Sequence, residues 1–389
     1  MKRAKKFATI LASAFISVCF LVGCGEKVSV NSGLIVDNDV APTQTAEYEQ
    51  YTRQALDEYF AVADKHRVDG DVDVDNEEVI AAAKPTAAKL FAYACYNERR
   101  LNQYVFFSHQ KGNTDLGING SATAIKQEYY LRINEQEGIT CGYRYHYTIK
   151  KVAESSGSIG MFKDLFESAR TRITDETDLL YRLEGSKIKD LEECQYSDLI
   201  GDKMLACDWK TGKDWGKHDL IIRKGDFIEP DKIEEDIVNY AEDDNHTIRA
   251  NINILAENIV ENSIIVELVN ENGEQEGYLI QMTIATDVAN KDEASLAMLR
   301  KANGSDDCEW VNAIDEDGEE TPGLAIFFSI WNNGLFRHYT VSEVWKGKIS
   351  GFSGTADSST TYFYSYSDRD CDMTPYLKML EEAKAAKGE

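Results

Sequence analysis
The chain has 389 residues, 43% of them hydrophobic, with only five prolines and a formal charge of −26. That apolar content is enough for a packed core, and the lack of proline-rich or low-complexity sequence argues against long disorder. Acidity on this scale argues against nucleic acid, or an anionic lipid surface, as a partner for the protein's surface at large.

Lys2, Arg3, Lys5 and Lys6 precede an apolar run over residues 7–22. The run falls short of the roughly 20 residues that a membrane-spanning helix needs, and residues 1–23 read as a signal peptide. Its end, Leu21-Val22-Gly23-Cys24, resembles the lipobox of bacterial lipoproteins. The resemblance covers this end of the chain alone. It implies that the Cys24 thiol carries diacylglycerol, that the chain is cut just before Cys24, and that the protein is extracytoplasmic, held to the membrane by its N-terminal lipid. Two acyl chains, at about 0.8 kcal/mol per buried CH₂, anchor stably where one is marginal. Losing residues 1–23 removes four basic and no acidic groups, which moves the charge from −26 to −30. Cys95, Cys141, Cys194, Cys207, Cys308 and Cys371 remain. Export permits disulfides, but the pairing is open. No CxxC occurs, which argues against a zinc site or a thioredoxin-like pair.

Residues 24–46 read as a polar tether. Residues 47–66 then place Tyr48, Tyr51, Ala55, Leu56, Tyr59, Val62 and Ala63 at helical spacing. Asp75-Asn-Glu-Glu78 has the pattern of a capping box opening an Ala-rich helix, which Pro85 must kink or split and which Arg99 and Arg100 suit at its C-terminal end. From about residue 102 the period changes to two. Residues 127–134 read as one strand. In a second, Tyr143, Tyr145, Tyr147 and Ile149 point one way and Arg144, His146, Thr148 and Lys150 the other. Phe162, Leu165, Phe166 and Ala169 mark a short helix, residues 171–184 and 204–223 further strands, and Pro230 a helix start.

The acidic stretch at residues 241–246 is the best boundary, which divides the chain into units 47–244 and 245–389. Strands resume over 246–255, 259–269 and 278–287. Asn290-Lys-Asp-Glu293 caps a helix that ends at Asn303-Gly304. Residues 324–331 and 336–345 form a hairpin around Asn333-Gly334. Residues 360–366 give another strand, with Tyr362, Tyr364 and Tyr366 on one face, and Thr374-Pro375 opens a last helix. Strand runs and helices without regular βαβ alternation indicate an α+β class: antiparallel sheets with covering helices, in two lobes. Residues 142–149 echo residues 334–341, as a duplication would, but a second echo at a different offset favours chance matching of similar hairpins.

Several motifs invite a catalytic reading. Ser186-Lys-Ile-Lys189 and Lys210-Thr-Gly212 look like the SxxK and KTG elements of penicillin-binding proteins, but they fall within 27 residues, and Ser197-Asp198 lacks the following Asn. Residues 210–214, between Trp209 and Trp215, read better as a hairpin loop. Asp69, Asp71, Asp73 and Asp75 lack the Gly and Glu positions of a calcium loop and read as a solvated acidic linker. The six histidines form no HExxH or close pair, so no metal or cofactor is expected. His146 and His338 read as strand histidines.

The two tyrosine stripes, Tyr143, Tyr145 and Tyr147 with Tyr362, Tyr364 and Tyr366, are the candidate binding residues, because a tyrosine face is apolar in body and polar at its tip. The leading expectation is noncatalytic binding of a lipidic, glycan or protein partner at the cell envelope. An anchored envelope hydrolase and a surface adhesin or assembly factor are the alternatives.

Overall fold
The computed structural model describes residues 39–133, 143–161, 168–174, 180–184, 208–212, 229–232, 256–293, 296, 299–300, 307–314, 318, 320–349, 352–374, 376–378, 381 and 385. Cys24, the tether up to residue 38, residues 186–189, Cys141, Cys194, Cys207, the strand read at 246–255 and the boundary at 244/245 lie outside them.

Helix α1 (Glu49–Ala63) buries Thr52, Ala55, Leu56, Tyr59 and Ala63 along one stripe, as the spacing predicts. The acidic tract that follows is partly a small hairpin, β1 (Arg67–Val68) against β2 (Asp71–Val72), which turns through Asp69 and Gly70 at positive φ. Helix α2 (Glu77–Arg100) is capped by Asn76, one residue later than expected. Its Oδ1 accepts from the backbone N–H of Glu78 at 2.9 Å and of Val79 at 3.4 Å. Glu78, the expected reciprocal partner, instead meets His66 Nε2 at 3.1 Å. Replacing Asn76 by Ala is expected to cost about 1 kcal/mol. The urea midpoint would fall with its slope unchanged.

Pro85 does not split α2. Its ring removes one donor to the preceding turn, but Val79 and Ala83 before it and Ala87 and Leu90 after it all enter the same core. Tertiary burial on both sides holds the helix continuous. Thr86 Oγ1 adds a bond to the Ala82 carbonyl at 2.8 Å.

The rest is dominated by one antiparallel sheet. Its strands are β3 (Gln103–Asp115), β4 (Ser121–Ile133), β5 (Tyr143–Ser155), β6 (Ser168–Thr174), β7 (Leu180–Glu184), β8 (Asp208–Gly212), β9 (Ile259–Val269), β10 (Gln275–Ile284), β11 (Glu309–Trp310), β14 (Leu324–Trp331), β15 (Phe336–Ile349) and β16 (Phe352–Ser365). Short β12 (Ala313–Ile314) and β13 (Glu320–Thr321) pair separately. The spatial order in the large sheet is β8-β7-β6-β5-β4-β3-β16-β15-β14-β10-β9, with β11 beside β15. This is the α+β class with antiparallel strands and covering helices. Strands from either side of residue 244 share the sheet: β3 runs beside β16 from Val105↔Ser365 to Asp115↔Thr355.

The expected elements shift in places. Residues 171–184 are two strands, β6 and β7, rather than one. Helix α3 (Gly157–Met161) precedes the short helix read from Phe162, and Ala169 lies in β6. Lys210-Thr-Gly212 is part of β8, paired with β7, and not a loop. Asn290 follows the one-turn helix α4 (Thr286–Ala289), and its amide is spent on Trp310, donating to the carbonyl at 2.7 Å and accepting from the N–H at 2.9 Å.

The α1–α2 pair covers the β9, β10, β14 and β15 end of the sheet. Phe91 of α2 stands edge-on to Phe328, Phe336 and Tyr339, with ring centroids 5.3–6.1 Å apart. Asn97 ties three elements together. Its Oδ1 accepts from the Tyr48 N–H at 2.8 Å, and its Nδ2 donates to the Gly334 carbonyl at 3.4 Å. Gly334, at φ 82°, makes the tight β14–β15 turn, and a Cβ there would meet Thr52 Oγ1 at 2.6 Å, so only glycine fits.

Candidate functional site
Register assigns every strand residue to one of two sheet faces. The helix-side face carries Phe328, Tyr339, Tyr362 and Tyr364, and from there Phe106, Tyr130 and His146. The far face carries Ser329, His338, Phe363, Leu131 and Tyr145. The two tyrosine stripes therefore lie on opposite faces and line no common groove.

On the far face, Tyr145 is fully buried and stacks on Tyr376 at 3.8 Å, with Tyr129 beside it. Tyr129 donates to the Asp370 carbonyl at 3.4 Å, so the segment around 370–376 closes over this part of the sheet. Tyr143 and Tyr147 occupy register positions opposite Ile133 and Tyr129. The nearby Cys371 thiol is buried, and that burial, with Asp370 and Asp368, pushes it up to about 12. It stays protonated and unreactive.

On the helix side, Tyr364 and Tyr366 are also buried. Tyr364 donates to Glu98 at 2.9 Å and Tyr366 to the Phe336 carbonyl at 2.7 Å. Tyr362 is half-exposed and belongs to a row that sequence reading missed. Ring centroids step from Tyr339 to Tyr362 (4.6 Å), Phe106 (5.5 Å), Tyr130 (5.3 Å) and His146 (5.8 Å) across five strands. Phe106 is buried, while Tyr130, Tyr362 and His146 are half-buried. The row thus runs from the core under α1 and α2 to a part of the sheet that this pair does not reach. It crosses strands distant in sequence, so no local pattern reveals it.

At its outer end sits a polar cluster. His146 Nε2 meets Glu128 Oε1 at 2.6 Å and Thr148 Oγ1 at 3.3 Å, and Lys126 Nζ donates to Glu128 Oε2 at 3.4 Å. Lys150 lies opposite Lys126 in register, and its ammonium is pushed below the usual lysine range by burial first and by Lys126 second. A catalytic triad needs the acid on one ring nitrogen and the nucleophile on the other. Here carboxylate and hydroxyl compete for the same Nε2, which cannot activate Thr148.

His338 forms the other hydroxyl–imidazole pair. Its Nδ1 lies 2.7 Å from Ser329 Oγ, but Ser329 is fully buried and His338 Nε2 has no hydrogen-bond partner. Burial, with Arg337 adding to it, holds the ring at about 4, so it is neutral near pH 7. A cavity of about 370 Å³ elsewhere is lined by Lys111, Asn113, Ser342, Glu343, Asp357 and Ser359 among others, and contains none of the tyrosines.

Among the described residues, no group of three or more His, Cys, Asp or Glu is placed to hold a metal ion, and no helix is long and apolar enough to cross a membrane.

No protein-family model matches the chain, and no curated protein does. Among solved structures, it is similar to LprF from Mycobacterium bovis at 10% identity, with 70% of this chain and 90% of that one covered and a TM-score of 0.24. A lipovitellin structure, titled for its lipid–protein interactions, matches at 7% identity over 68% of this chain and 25% of its own, with a TM-score of 0.22. A DUF1329 family protein from Desulfovibrio piger matches at 9% identity over 75% and 98%, with a TM-score of 0.15. At scores this low, fold and function rest on this chain's own residues.

Proposed function
We propose that the protein is a noncatalytic binding protein of the cell envelope, anchored through Cys24, and that it holds an amphiphilic partner on the helix-side face of its sheet. The aromatic row from Tyr362 through Phe106 and Tyr130 to the His146–Glu128 pair carries this reading. Tyr362 and Tyr130 offer half-exposed rings, and the His146–Glu128 pair offers hydrogen-bonding groups, as a ligand with an apolar body and a polar head requires. The stripe at Tyr362 belongs to this surface through its half-exposed ring. The convergence of Glu128 and Thr148 on one nitrogen speaks for binding over hydrolysis.

The test is native mass spectrometry of residues 26–389, a span that keeps every described element, before and after organic extraction. A defined extra mass that extraction removes is expected, together with its loss in a Tyr130→Ala/Tyr362→Ala double variant. A clean apo mass from gently purified protein would overturn the carrier reading.

A further inference from the structure
The helix-side face of β4 to β8 is basic in a strongly acidic protein. Between Lys126 and Arg132 on β4, and through β5 to β8, register places Lys126, Arg132, Arg144, Lys150, Arg170, Arg172, Arg182 and Lys210 on this face, against the acids Glu128, Glu184 and Asp208. The alternate positions of the same strands hold one base, Lys151, one acid, Glu154 at the end of β5, and residues such as Ile133, Ile149, Ile173, Tyr181, Leu183 and Trp209. The charge is therefore sorted by face.

It is also sorted against stability. Arg172, Arg182 and Lys210 are consecutive cross-strand partners in line with His146, and Lys126 lies opposite Lys150. Like charges directly opposite one another destabilise a sheet. A fold that keeps several such pairs in one row, in a chain with acids to spare, keeps them for something that arrives with negative charge. By register these strands place eight bases against three acids on this face, so an excess of bases remains however the acids pair. Both Glu128 oxygens are already engaged, by His146 and Lys126. Arg132 is buried with its guanidinium 5.7 Å from the Tyr104 ring centroid, and so belongs to the wall of the surface more than to its open part.

We propose that this basic face receives the acidic head, a phosphate or carboxylate, of an anionic amphiphile whose apolar part lies over Tyr130 and Tyr362, on either side of the buried Phe106. The assignment rests on the binding function above and adds the ligand's charge. Charge complementarity selects the head, and the aromatic row that begins at His146 selects a ligand with an apolar body over a bare anion. Lys150, partly desolvated beside Lys126, gains most from a negative group, because a charge-assisted bond is strongest where water is displaced.

The experiment titrates residues 26–389, followed by calorimetry, with dodecyl phosphate and dodecyl maltoside below their micelle concentrations and with inorganic phosphate, and then challenges bound dodecyl phosphate with single-stranded DNA. Dodecyl phosphate is expected to bind tightest, with an affinity that falls as salt rises. An Arg172→Gln/Arg182→Gln variant and a Lys126→Gln/Lys150→Gln variant are each expected to lose about tenfold or more of that affinity. Their thermal stability without ligand should equal or exceed that of the parent, which separates lost binding from lost folding. Equal affinity for maltoside and phosphate amphiphiles would overturn the anionic-head assignment and leave the binding function standing. Failure of both amphiphiles would overturn the binding function itself. Inorganic phosphate binding as tightly as dodecyl phosphate, or single-stranded DNA displacing it at equal charge, would overturn the amphiphile.

Discussion

Replacing Phe91 by alanine is expected to destabilise the protein by about 3–5 kcal/mol. Phe91 is buried where α2 meets the sheet, edge-on to Phe328, Phe336 and Tyr339. Removing the ring deletes its transfer energy, leaves a cavity that two well-packed layers cannot collapse, and forfeits three edge-to-face contacts worth about 0.5–1.5 kcal/mol each. Equilibrium unfolding in guanidinium measures the loss. A loss below about 1 kcal/mol would mean that the helix pair is not docked on β14 and β15 as described. Phe91→Leu, which keeps most of the volume, is expected to recover more than half of it.

The second large effect is on pH. His338 is held at about 4 in the folded protein, chiefly by burial and secondarily by Arg337, against an ordinary 6.5 once unfolded. Between these values the unfolded chain takes up a proton that the folded one refuses. Stability from this group is complete above about pH 6.5 and declines as pH falls toward 4, by about 3 kcal/mol in all. Glu343 acts with the opposite sign, because burial pushes its carboxyl up and acid then favours the folded state. The quantity to measure is therefore the difference between the parent and His338→Gln, whose amide can still meet Ser329 Oγ. The variant should lose less stability than the parent between pH 6.5 and 4. Parallel profiles would show that His338 titrates normally and is open to water.

What the sequence disclosed and what it hid follow from one physical distinction. Periodicity within a strand is a local property, so the β14–β15 hairpin, β9 and the alternation of β5 were legible, as was the apolar stripe of α1. Which face a strand turns toward the core is set by partners far away. Both tyrosine stripes look equivalent in sequence, yet register sends Tyr145 to the far face beneath Tyr376 and Tyr362 to the helix side. The basic face was half visible: Arg144, His146, Thr148 and Lys150 alternate openly. The net charge of −26 spoke only for the surface at large, because a sum has no faces. Lys126 and Arg182 join that face only through pairing. Asn76 displaced Asp75 as the cap because the two side chains differ by one backbone step, a distance that composition cannot resolve.

The adjacency of β3 and β16 bears on when this protein can fold. The helices that emerge first, α1 and α2, find their burial partners in β9, β10, β14 and β15, more than 150 residues later in the chain. An N-terminal half still being made has two amphipathic helices without the strands they mainly cover and a strand, β3, whose neighbour β16 is the last to arrive. Such long-range pairing makes closure slow and late. Until β16 is made, β3 lacks a neighbour and the helix pair lacks its sheet, so these parts dock together only at the end.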